Sequence, residues 1–98
     1  MVRVLLPFHL RNLAGVGREI QLEVEMPVSV KTVLDALEQS HPVLRGTIRE
    51  HDTQRRRAFL RFFASGEDIS MNDPAIPLPK TIAEGSEPLM VVGAIAGG

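Results

Sequence analysis

The residues with the clearest capacity for chemistry are Ala96, Gly97 and Gly98, at the end of the 98-residue sequence. Without a Cβ, a glycine backbone approaches other groups closely and tolerates unusual dihedrals. A free Gly97-Gly98 end therefore suits a terminus that must enter a narrow channel in extended form. The competing interpretation of the same pair is a frayed, functionless end. Residues 94–98 are expected to be poorly ordered or to extend away from the body, because the Ala and Gly that make up four of the five offer little surface to bury.

The other candidates are weaker. There is no cysteine, which removes disulfides, thiolate nucleophiles, zinc–thiolate sites and iron–sulfur clusters. His9, His41 and His51 lack metal-ligand spacing, so no metal is expected and each reads as a surface or loop residue. Arg55-Arg56-Arg57 resembles a nucleic-acid contact. Glu50 and Asp52 stand close by, the net charge is −1, and no aromatic is interleaved to stack a base. The triplet is read as a solvated loop, with no nucleic acid as partner. No serine–histidine–aspartate set, paired carboxylates, phosphate loop or dinucleotide glycine fingerprint stands out, so the chain is not expected to be an enzyme. No run approaches the roughly 20 apolar residues of a membrane-spanning helix. The apolar start, Val2 to Pro7, is too short for a signal peptide. A cytoplasmic protein with no membrane partner is expected.

The elements that would carry the glycine end follow from periodicity. Val2, Val4, Leu6 and Phe8 alternate with Arg3, Leu5 and Pro7, the period of a strand with one face on a core. Ile20, Leu22, Val24 and Met26 alternate with Glu19, Gln21, Glu23 and Glu25. Across Asn12, Gly15 and Gly17 the two segments read as a hairpin. Val30, Val33, Leu34 and Leu37 then fall at helical spacing, with Ser29 as N-cap and Pro42 as terminator. Leu44 and Ile48 anchor a short further turn under a charged loop over 49–58. Residues 59–64 form a third strand with Leu60, Phe62 and Ala64 on one face. Ser65-Gly66-Glu67-Asp68 is a turn, Ile69 begins a short strand, and Pro74, Pro77 and Pro79 exclude regular structure over much of 72–80. Leu89 to Val92 is the last strand.

One domain fits this length. It is expected to be α+β, a mixed β-grasp sheet with one main helix over residues 1–93, followed by the 94–98 tail. The first and last strands should both pair centrally. The expected core is Val4, Leu6, Leu22, Val24, Val33, Leu34, Leu37, Leu60, Phe62 and Val91. Phe59, Phe63, Met90 and Val92 then point away from that core. They form either a partner-binding patch on the open sheet face or a satellite core covered by segment 45–58 or 70–80.

Three stretches resemble the ubiquitin-like sulfur carriers. These are Leu10-Arg11-Asn12-Leu13-Ala14-Gly15, then Phe59 through Ile69, and Ile82-Ala83-Glu84-Gly85 followed by an apolar strand and Ala96-Gly97-Gly98. The family includes the molybdopterin synthase small subunit and the carriers of the thiamine and cysteine pathways. Val92-Gly93-Ala94 stands where members often have a proline, and segment 45–58 is longer than in the shortest members. The resemblance implies that a ubiquitin-activating-type adenylating enzyme, using ATP and magnesium, adenylates the Gly98 carboxylate. A sulfur donor then displaces AMP to leave a thiocarboxylate for a sulfur-accepting biosynthetic enzyme. No cofactor is bound by the carrier itself. The alternatives are a ubiquitin-like modifier joined to lysines through Gly98, a small subunit whose tail enters a larger catalytic partner, and an interaction domain with an incidental glycine end.

Overall fold

The computed structural model describes residues 1–93; residues 94–98, and with them Ala96, Gly97 and Gly98, lie outside the described residues. Strand β1 is Val2–Leu5, β2 Glu19–Leu22, β3 Leu60–Ala64, β4 Glu67–Asp68 and β5 Leu89–Gly93; helices α1, α2 and α3 are Phe8–Ala14, Val30–Ser40 and Lys80–Glu84. The strands form one mixed sheet in the order β2-β1-β5-β3-β4. Only β1 and β5 run parallel, with Val4 opposite Leu89 and Leu5 opposite Met90. The first and last strands are thus both internal, as their apolar alternation predicts.

Every strand but the two-residue β4 turns alternate residues inward. Val2, Val4, Ile20, Leu22, Leu60, Phe62, Ala64, Leu89 and Val91 are all buried, against Val30, Val33, Leu34 and Leu37 of α2. Ser29 caps α2 through its hydroxyl, which accepts from the Thr32 N–H, and the Thr32 hydroxyl accepts the Ser29 N–H in return. Leu44, in a 3₁₀ turn over Pro42–Leu44, and Ile48 close the core beyond the helix. Of the expected core only Val24 is not fully buried; it packs at the edge of the cluster.

The path from β1 to β2 differs from the simple hairpin expected. Pro7 ends β1 and precedes α1, whose Leu10 is buried while Phe8 is 72% exposed with the Arg11 guanidinium over its ring. The fixed φ of Pro7 suits a helix start, where its missing N–H costs nothing. Tertiary anchoring of Leu10 then overrides the alternation that would have carried the strand through Phe8. Strand β2 also stops at Leu22, and Met26 is exposed just before the cis Met26–Pro27 bond. Ser65 and Gly66 both have positive φ, so they form the two-residue turn of a β3–β4 hairpin, and the short strand begins at Glu67 rather than Ile69. The proline-rich stretch is irregular yet fastened: the Leu78 and Lys31 N–H groups donate to Val28 and Pro74. Helix α3 was not expected. Its end is fixed by Gly85, at φ 83°, where a Cβ would lie 2.3 Å from the Met1 carbonyl oxygen.

The charged loop is the other correction. Arg49 is 4% exposed and donates to Glu38 at 2.9 Å and to Asp35 at 2.6 Å, tying the loop to the outer side of α2. The Arg55–Arg57 triplet is not simply solvated. Arg56 donates to the carbonyls of Leu60 at 2.7 Å and Ser70 at 3.2 Å, and Arg57 to that of Gly46. Arg55 and Arg57 are exposed, as expected, and Arg56 is half-buried. Among the described residues no helix is long and apolar enough to cross a membrane.

Candidate functional site

The residues opposite the core faces define the open side of the sheet. In β3 they are Arg61 and Phe63, in β5 Met90 and Val92, in β1 Arg3 and Leu5, and in β2 Glu19 and Gln21. Register sets them in rows. Leu5, Met90 and Phe63 lie side by side across β1, β5 and β3, with Val92 opposite Arg61 in the next row. Met90 and Val92 are exposed and Phe63 is half-buried. Helices cover the other face, so these apolar side chains meet solvent here. Pro88, Glu87, Ser65 and Gly66 extend the floor around Phe63 and Met90 into a shallow cleft of about 250 Å³.

Charge borders the row on both sides. Arg3 pairs with Glu19 at 2.9 Å and Arg61 with Asp68 at 3.5 Å. Hydrogen bonding from Arg3 holds the Glu19 carboxyl below its ordinary pKa. Ser70, through its side chain and backbone N–H, does the same for Asp68, helped by the charges of Arg61 and Arg56. The open side is therefore an apolar centre with a charged rim, the usual composition of a protein-binding patch.

Phe59 sits elsewhere. It precedes β3 in a turn, is 67% exposed, and lines a separate cleft with His9, Thr47, Glu50, Arg55 and Arg57. Register alone could not have placed it, because β3 begins one residue later. Leu5, which the alternation does place outward, completes the row formed by Phe63 and Met90.

Strand β5 ends at Gly93, opposite Leu60 of β3. A Cβ at Gly93 would meet the His9 ring at 3.2 Å and Pro7 Cβ at 3.6 Å. Gly93 thus lies against the start of α1 and opposite the start of β3. His9, unremarkable in sequence, forms one wall there. No group of histidine and acidic side chains able to hold a metal occurs among the described residues.

No protein-family model and no curated protein matches the sequence. Solved structures do resemble it over its whole length. SAMP1 from Haloferax volcanii superposes with a TM-score of 0.75 at 22% identity, covering 99% of this chain and 98% of that one. A chain of the Amycolatopsis orientalis BexX/CysO complex gives 0.76 at 19%, with both chains covered completely. The small archaeal modifier protein 1 of Methanosarcina acetivorans gives 0.73 at 24%, covering 99% and 95%. With the strand order and helix placement above, these likenesses establish a ubiquitin-like β-grasp fold whose structural neighbours include SAMP1 and CysO.

Proposed function

We propose that this chain is a cytoplasmic ubiquitin-like sulfur carrier, itself without catalytic activity, that works through Gly98. The observation that carries the proposal is the position of β5. It is an internal strand, it contributes Met90 and Val92 to the open apolar face, and it ends at Gly93, immediately before Ala94-Ile95-Ala96-Gly97-Gly98. A partner seated on that face would lie beside the end of β5, from which residues 94–98 continue in sequence. Five fully extended residues reach at most about 18 Å, so docking face and reaction centre must be close.

In the proposed reaction a Gly98 carboxylate oxygen attacks the α-phosphorus of ATP in a ubiquitin-activating-type adenylating enzyme, and pyrophosphate leaves. That enzyme supplies ATP and magnesium. A sulfide equivalent then adds to the acyl carbon and AMP departs with the C–O bond electrons, leaving a thiocarboxylate for a sulfur-accepting biosynthetic enzyme. The carrier contributes a narrow acyl end and a docking surface formed by Phe63, Met90 and Val92. Gly97 and Ala96 keep the approach slim.

A second reading, as a protein modifier joined to lysines through Gly98, draws support from the neighbours described as small archaeal modifier protein 1. Adenylation is common to both. The test is ATP–pyrophosphate exchange with the adenylating enzyme encoded in the same genome. Exchange that depends on this chain and disappears on deletion of Gly98 supports the proposal; exchange indifferent to Gly98 refutes it.

A further inference from the structure

A cleft of about 470 Å³ lies away from the open face, beside His9 and the end of β5. One side is His9 of α1, whose ring lies against Gly93. Thr47, Glu50 and the Arg55–Leu60 segment complete its lining. Its charge is lopsided. Arg55, Arg56 and Arg57 line it with Glu50 as the single carboxylate. The Arg57 Nε is tied to the Gly46 carbonyl, which holds that guanidinium beside the cleft, whereas the Arg56 guanidinium is taken up by the carbonyls of Arg57, Ala58, Leu60 and Ser70. Arg55 is exposed, and among the described residues no hydrogen bond or ion pair engages its guanidinium. Beside these cations Phe59 presents an open ring.

A cleft with cations and an exposed aromatic floor complements an acidic segment carrying an apolar side chain. Its place beside Gly93 decides whose segment. Any protein that accepts the chain from Gly93 onward must bring its surface up to the walls of this cleft. We infer that the cleft is a second docking site, occupied by an acidic segment of the adenylating enzyme, which clamps the root of the tail while the open sheet face carries the main contact. The inference rests on the adenylation proposed above.

The test uses the full chain and the adenylating enzyme of the same genome, with affinity read by calorimetry at two salt concentrations. Arg55→Glu is compared with Arg18→Glu, an exposed arginine outside the cleft that gives the same change in net charge. Arg55→Glu should weaken binding at least about tenfold at low salt, as reversal of a contacting charge does, and Arg18→Glu should change it far less. Phe59→Ser should weaken binding in both salt conditions, with circular dichroism unchanged. If wild type binds and is adenylated but Arg55→Glu behaves like Arg18→Glu, the cleft is not a docking site and the inference fails alone. If wild type is neither bound nor adenylated, the proposed function fails and the inference with it.

Discussion

Replacing Arg49 by methionine removes a charge while keeping most of the apolar stem. In the native chain its guanidinium donates to Glu38 Oε2 at 2.9 Å, to Glu38 Oε1 at 3.2 Å and to Asp35 Oδ1 at 2.6 Å. The consequences for the two carboxylates differ. The Asp35 side chain is 42% exposed and keeps Lys31 at 3.0 Å, whereas that of Glu38 is 13% exposed and has no other cation within ion-pair distance among the described residues. Breaking a buried ion pair costs about 3–5 kcal/mol, most of it from the charge left behind. Water access to Asp35 lowers the expectation here to about 2–3 kcal/mol, a large part of the roughly 5–15 kcal/mol that holds a domain together. The melting temperature should fall by about 10–20 °C. With neither tryptophan nor tyrosine in the chain, urea unfolding at pH 7 is best followed by far-ultraviolet circular dichroism. Adding Glu38→Leu to Arg49→Met should recover stability to within about 1 kcal/mol of wild type, because the stranded charge goes with it. A loss below about 1 kcal/mol for Arg49→Met, or simple additivity in the double mutant, would refute the view that this cluster fastens the loop to α2.

The same cluster predicts a pH dependence. Burial alone would raise the Asp35 pKa, but hydrogen bonds from Arg49 and Lys31 outweigh it and the net shift is downward. A depressed folded-state pKa adds stability above the unfolded value of about 3.9, and that stability is lost as pH falls through the folded value. Acid titration of stability below about pH 4 should therefore be steeper in wild type than in Arg49→Met. Gly85→Ala should cost about 2–3 kcal/mol, from positive φ and the clash with the Met1 carbonyl, whereas Gly66→Ala, with open space around it, should cost about 1 kcal/mol; thermal melts separate the two. Leu37→Ala should cost roughly 2–5 kcal/mol in urea unfolding, since Leu37 is wholly enclosed. Met90→Ser and Phe63→Ser should each weaken binding to the adenylating enzyme by more than about 1 kcal/mol while circular dichroism stays native.

Much of the fold was legible because the sheet is open on one side and covered on the other. Strict alternation in β1, β3 and β5 and the Val30–Leu37 spacing carry that asymmetry directly, and the outward residues Phe63, Met90 and Val92 follow from it. The departures arise where tertiary contacts outrank local pattern. Leu10 draws residues after Pro7 into a helix, so Phe8 leaves the strand. Arg49 is buried in a segment with no apolar periodicity, because its partners lie on α2 and not nearby in the chain. Phe59 shares the parity of Phe63 but precedes the ladder, which puts it in the cleft with His9 and Arg57. Proximity of His9 to Gly93 joins residues at opposite ends of the chain, and no spacing in a single sequence encodes that.

Intact mass spectrometry reads acyl activation and sulfur loading at Gly98 without a coupled assay. The full chain is incubated with its adenylating enzyme, ATP, magnesium and a sulfide source, in parallel with a variant lacking Gly98. Replacement of one C-terminal oxygen by sulfur, in the full chain only, is the predicted result. An amide bond from Gly98 to a lysine would shift the assignment to a modifier. An unchanged mass, under conditions where a known carrier is loaded by its own activating enzyme, would contradict the carrier assignment and leave the resemblance one of fold.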